Sequence, residues 1–225
     1  MAISLTKGQK IDLRKETGEK LTNFCVGVNW GAIETMKKGL FGSKKVVEEV
    51  DLDLSCVMTD AVGNLVDYIY SPDYNGFLQK NNLPLGKLKS ADGALRHSGD
   101  DRKGDFGGDD GLDNEVITVD LTKVNPSIEK IFFFINIYLN QGQSHDFSKI
   151  PYAKIRMYEG TSTKVNKVYS NFDIATDASY AGKMAIVLGK LYKRNDEWKF
   201  DAIGDAVEDK IFLQTIQTIQ NKYAK

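Results

Sequence analysis

The chain is poor in the groups that soft-metal and nucleophilic chemistry need. Its 225 residues include two histidines, His97 and His145, and two cysteines, Cys25 and Cys56. Two isolated imidazoles at no ligand spacing disfavour zinc and copper. The cysteines sit in separate apolar runs at no motif spacing, so they are expected as small buried hydrophobes in a reducing compartment. An excess of one sign of charge is also missing: the formal net charge is −1, which leaves no global field to recruit nucleic acid. No apolar stretch approaches the roughly 20 residues that cross a bilayer. The longest, residues 131–139, is broken by Asn136 and has the length of a strand. The opening Met1-Ala2-Ile3-Ser4-Leu5-Thr6-Lys7-Gly8 lacks the charged-then-apolar order of a signal peptide. These absences lead us to expect a cytoplasmic protein with no nucleic-acid partner and no direct membrane insertion.

What is present reads as β structure. Residues 23–30 are rich in β-formers, residues 50–55 alternate strictly between apolar and polar, and residues 116–121 and 152–158 repeat the alternation. Lys130-Ile131-Phe132-Phe133-Phe134-Ile135-Asn136-Ile137-Tyr138 has the near-continuous apolar character of a central strand buried on both faces. Runs at 184–192 and 198–203 flank Lys193-Arg194-Asn195-Asp196-Glu197, a hairpin signal with Asn-Asp at its tip. The expected fold class is all-β, a mainly antiparallel β-sandwich with short helical insertions and a C-terminal α-helix, in a single domain over residues 1–225. Residues 31–49, rich in lysine and glycine, are expected as a surface insertion, with Leu40-Phe41 as a docking pair or a pair folded back on the core. In residues 208–225, Ile211, Phe212, Thr215, Ile216 and Ile219 recur at helical spacing, which predicts a helix lying on the sandwich or presented to a partner.

The chemistry concentrates in residues 99–115. Seven of these seventeen residues are carboxylates and five are glycines. Two unit charges at 4 Å repel by about 1 kcal/mol in water and about 4 kcal/mol near a protein surface, so such a loop is driven open unless a cation gathers it. Asp, Asn and Glu supply only hard oxygens, which select calcium, magnesium or manganese. Short carboxylates on a pliable glycine-rich loop suit the loose six-to-eight-oxygen shell of calcium better than the tight magnesium octahedron. The loop is not an EF-hand. Counting from Asp105, glycine falls at the third position and Asp110 at the sixth, and strand patterns flank it. Asp51 and Asp53, two apart on a strand, project from one face and complete the coordination if that strand end lies near the loop. The expected calcium ligands are Asp51, Asp53, Asp100, Asp101, Asp105, Asp109, Asp110, Asp113, Asn114 and Glu115, holding two or more ions.

Laid out in order, these pieces resemble the TerD family of tellurite-resistance and stress proteins. Ile3-Ser4-Leu5-Thr6-Lys7-Gly8-Gln9 resembles that family's opening strand and turn, and Val26-Gly27-Val28-Asn29-Trp30 its Val-Gly-x-x-Trp strand. Val50-Asp51-Leu52-Asp53-Leu54-Ser55 is similar to its Asp-Leu-Asp-x-Ser signature. His97-Ser98-Gly99-Asp100-Asp101, with Gly104 and the acids to Glu115, resembles its calcium loop. Leu191-Tyr192-Lys193-Arg194 with Glu197-Trp198-Lys199-Phe200 resembles its C-terminal hairpin. One departure is that Gly111-Leu112 lengthens the loop before Asp113-Asn114-Glu115. The resemblance implies a calcium-binding β-sandwich without catalytic activity. It also implies partners among other products of a tellurite-resistance cluster, a membrane protein included.

Two other functions fit parts of the pattern. A metal-dependent hydrolase or phosphoryl-transfer enzyme would use the same carboxylates, but no nucleophile elbow or phosphate-binding glycine loop accompanies them. A calcium-dependent lectin would use the sandwich, and the lack of a signal peptide argues against it.

Overall fold

The computed structural model describes residues 2–39, 42–139, 142–174 and 178–225. Along the chain the elements are β1 (Ile3–Ser4), β2 (Lys10–Asp12), β3 (Asn23–Trp30), β4 (Ile33–Gly39), β5 (Gly42–Glu48), β6 (Asp51–Thr59), β7 (Leu65–Ile69), α1 (Asn75–Lys80), β8 (Leu95–His97), β9 (Glu115–Asp120), β10 (Lys130–Tyr138), β11 (Ala153–Thr161), β12 (Lys164–Ile174), β13 (Ala185–Arg194), β14 (Glu197–Val207) and α2 (Phe212–Lys222). One six-stranded sheet runs β1-β12-β11-β3-β9-β8, and a second runs β2-β14-β13-β10-β6-β7. All pairings between these strands are antiparallel except β1 with β12. The expected antiparallel sandwich with a C-terminal helix is the observed fold.

Strand parity assigns the layers. On β10, Ile131, Phe133, Ile135 and Ile137 enter the core between the sheets, together with Leu52, Leu54, Cys56 and Met58 of β6. Phe132 and Phe134 face outward and join Val57, Leu78, Phe212, Ile216 and Ile219 in a second apolar cluster. Helices α1 and α2 therefore cover the outer face of the second sheet, which is why β10 reads as apolar on both faces. An eleven-residue helix is marginal alone. Here Phe212, Ile216 and Ile219 each contribute roughly 1.5–3 kcal/mol by burial against the sheet. Gln214 Oε1 accepts the N–H of Lys210 at 2.8 Å, satisfying a donor at the helix entrance.

Asn195 and Asp196, at φ of 53° and 60°, form the two-residue tip between Arg194 and Glu197, the turn geometry that matches strand twist. Both cysteines are buried and free. Within residues 31–49, Gly31, Ala32 and Ile33 are buried, and nearly all the described side chains from Glu34 to Glu49 are exposed. Strands β4 and β5 pair with each other as a separate two-stranded ribbon and join neither sheet. Leu40 and Phe41 lie outside the described residues. No helix among those described is long and apolar enough to cross a membrane.

Candidate metal centre

Two strands and one loop build the site. Because Leu52 and Leu54 point into the core, Asp51 and Asp53 point to the outer face of the second sheet. Strand β7 pairs with β6 only over Cys56–Thr59, so the half of β6 carrying the aspartates has β10 on one side and no strand on the other among the described residues. Loop 99–103 and Tyr74 close over that half. One carboxylate oxygen each of Asp51, Asp53 and Asp100 lies within 4.8 Å of the others. The two acidic elements expected from sequence thus meet in space.

Their electrostatics are unfavourable as they stand. Asp51 and Asp53 are 7% and 4% exposed. Burial, followed by the charges of Asp53 and Asp100, pushes the Asp51 carboxyl up to about 8. Burial, followed by the charge of Glu115, pushes Asp53 up to about 8 as well. Asp100 is raised, mainly by burial. The Tyr74 hydroxyl donates to Asp53 Oδ2, and Arg102 pairs with Asp100 Oδ2 at 2.8 Å and with Asp73. Asp51 Oδ1 is buried with no hydrogen-bond partner. An orphaned buried carboxylate oxygen beside two more carboxylates is the arrangement that a hard cation resolves.

Glu115, 1% exposed, stands behind this group on β9. Its Oε2 accepts the N–H of Leu54 at 2.6 Å, and its Oε1 accepts that of Asp101 at 3.1 Å. Burial holds its carboxyl well above the usual range. His97 Nδ1 accepts the N–H of Gly99 at 3.0 Å, which leaves the proton on Nε2, 3.4 Å from Glu115 Oε2. Burial lowers the imidazole to about 4, so it is neutral.

A second cluster gathers Asp105, Asp109 and Asp110, again within 4.8 Å of one another but more exposed. Asp105 is a hub. It accepts from Asn29 Nδ2 at 2.9 Å, from the Tyr152 hydroxyl at 3.0 Å and from Asn114 Nδ2 at 3.1 Å. Lys154 lies 2.8 Å from Asp109 and holds its carboxyl below the usual range. Each cluster thus has one cation at its rim, Lys154 on Asp109 and Arg102 on Asp100, and neither cation pairs with the buried Asp51 or Asp53.

The remaining expected ligands fall elsewhere. Asp101 takes the N–H of Lys103 at 2.9 Å and the Asn114 amide at 3.3 Å, so it links the clusters rather than completing either. Asn114 Oδ1 accepts the N–H of Trp30 at 2.8 Å. Asp113 joins neither cluster. Its buried carboxylate is held by Arg156 Nε at 2.8 Å, and burial still raises it against that pull. Asp113 also explains the glycine at position 27: a Cβ there would lie 2.0 Å from Asp113 Oδ2. Gly104, at φ +68°, likewise leaves room for the Trp30 indole, whose Nε1 donates to Val50 O at 2.8 Å.

Tyr74, Arg102, Lys154 and Arg156 were not expected as site residues. Lys154 and Arg156 did carry a signal. Two cations at alternate positions of one strand share a face, and that face looks for acids.

Comparison with known proteins agrees with this architecture. The TerD domain model matches residues 1–218. Stress response protein SCP2 of Bacillus subtilis (strain 168) is 34% identical over 93% of this chain and 94% of its own length. General stress protein 16U of the same organism is 36% identical over 92% of each chain. Tellurium resistance protein TerD of Alcaligenes sp is 32% identical over 91% of this chain and 90% of its own. A solved structure, a homologue of telluride resistance protein (TerD) from Streptomyces coelicolor A3(2), shares the fold at a TM-score of 0.59. It is 14% identical and covers 91% of this chain and 98% of its own. With the sandwich, the Asp51–Asp53 strand and the acidic loop in place, the chain belongs to the TerD domain family.

Proposed function

We propose that this chain is a calcium-binding, non-catalytic module of a tellurite-resistance and general stress response. Asp51, Asp53 and Asp100 hold one ion, and Asp105, Asp109 and Asp110 hold a second. The carrying observation is the buried, unpartnered Asp51 Oδ1 amid two further carboxylates. Oxygens within 4.8 Å of one another are close enough to share one ion, and short carboxylates on a glycine-rich loop suit the loose calcium shell better than the tight magnesium octahedron. Bound calcium would supply charge neutralisation that ties loop 99–115 to β6. The capped Nδ1 and the buried environment of His97 support the non-catalytic reading, since a general base needs an open nitrogen near its proton. The relatives' names support the stress and tellurium context. Within that context the protein works in the cytoplasm with other products of the same resistance cluster, a membrane protein among them.

Calorimetric titration with calcium tests this directly. Two binding events are expected, with Asp53→Asn removing one and Asp109→Asn weakening the other. A flat isotherm in a metal-stripped sample would overturn the reading. Phosphate-ester turnover that needs a divalent ion and dies with Asp109→Asn would establish the hydrolase instead.

A further inference from the structure

We propose that the β4–β5 ribbon is a docking arm for an anionic lipid bilayer surface. The inference does not rest on calcium at either cluster. Residues 36–45 carry four lysines and no acid, in a chain whose overall charge is −1. Lys37 sits directly opposite Lys44 in the ribbon register. Like charges in that position destabilise a pair of strands. Lys45 is offset by Glu34 at 2.7 Å, whereas Lys37, Lys38 and Lys44 make no ion pair among the described residues. Among the described residues, no ion pair relieves this repulsion.

Three features favour an extended anionic surface as the occupant. First, the lysines lie on both faces of the ribbon, Lys37 and Lys44 on one and Lys38 and Lys45 on the other, so the arm carries diffuse positive charge rather than the shaped patch that a folded partner would match. Lysine is a compact point charge without the bidentate fork that reads specific carboxylate or nucleic-acid geometry. Second, Met36 and Val47, 65% and 39% exposed, place apolar side chains among the charges. Weak membrane anchors combine those two signals. Third, the arm is long enough to separate its charge from the acidic end of the sandwich. At about 3.4 Å per residue, Lys37 stands roughly 14 Å beyond Ile33, well past the roughly 8 Å screening length at physiological salt. The root is fixed. Ala32 N–H donates to Asp105 O at 3.0 Å, Val50 N–H to Lys103 O at 3.3 Å, and Gly107 N–H to Glu34 Oε1 at 3.1 Å.

Co-sedimentation of the full chain with vesicles, in chelator and at low salt, tests the proposal. Binding is expected to phosphatidylcholine vesicles containing phosphatidylserine and not to phosphatidylcholine alone, and it weakens with salt. Each lysine near such a surface is worth about fivefold, so Lys37→Gln/Lys38→Gln/Lys44→Gln should lose roughly a hundredfold. The triple change to arginine should retain binding and melt with the parent, and the glutamine variant should melt with the parent or slightly above it, since the Lys37–Lys44 repulsion is gone. Absence of binding, or full binding by the glutamine variant, overturns the proposal and leaves the lysines as guards against edge pairing. So does binding that appears only with calcium and survives lysine neutralisation, which would belong to the acidic loop. Tighter lysine-dependent capture of a DNA duplex than of anionic vesicles would also overturn it.

Discussion

The carboxylate of Glu115, on the first sheet, accepts the backbone N–H of Leu54, on the second, at 2.6 Å. It replaces the strand neighbour that the N-terminal half of β6 lacks, and it fixes the strand that presents Asp51 and Asp53. Glu115→Ala leaves that buried donor unsatisfied and should cost about 1–3 kcal/mol. Glu115→Gln keeps an acceptor and should cost less. Urea unfolding of both variants, metal-free, checks the order; equal losses would remove the bridge from the account.

The metal-free protein should lose stability as pH rises from about 4 to 8, most steeply above 6.5. Asp51 and Asp53 titrate near 8 when folded and near the ordinary aspartate value of 3.8 when unfolded, so the native state holds more protons across this window. Stability then falls as pH rises, by at most about 1.4 kcal/mol per pH unit for each group. His97 has the opposite sign, but it acts below 6.5, where the unfolded imidazole takes up a proton that the buried one refuses until about 4. Melting curves at stepped pH, with chelator and then with calcium, should show a slope that calcium abolishes.

Asp51→Asn and Asp53→Asn should leave the metal-free protein equally stable at pH 7, where burial holds both carboxyls largely protonated, and more stable by about 1 kcal/mol above pH 8, where each removes a buried like charge. Both should abolish one calcium event. Paired calorimetry and thermal melts separate a lost ligand from a lost fold.

Arg156→Ala should destabilise by about 3 kcal/mol, the low end for breaking a buried ion pair, because it strands Asp113. Calcium stoichiometry should stay unchanged. A lost binding event would return Asp113 to the ligand set.

Gly27→Ala drives a methyl into the Asp113 carboxyl and should cost about 1–3 kcal/mol by overpacking, read from the denaturation midpoint.

The strands visible in the sequence were those with one or both faces buried. Residues 130–138 and 184–192 announced β10 and β13 because burial imposes a pattern on side chains. Strands β8 and β12 did not announce themselves. The first has three residues, and most of the second lies at the surface, where nothing enforces alternation. The ribbon was masked for the same reason: its described side chains are exposed, with Ile33 and Val46 the exceptions.

At the site, the sequence by itself determined the chemistry. Hard oxygens crowd into residues 99–115, with two more on a strand, and donors of that kind suit a hard dication rather than a soft one. Only the tertiary structure decided which acids share a cluster. Sheet pairing set Asp51 and Asp53 against Asp100, sent Asp113 to Arg156 and turned Asn114 toward Trp30. Charge repulsion acts over a few ångströms, and the neighbours at that distance come from strands far apart in the chain.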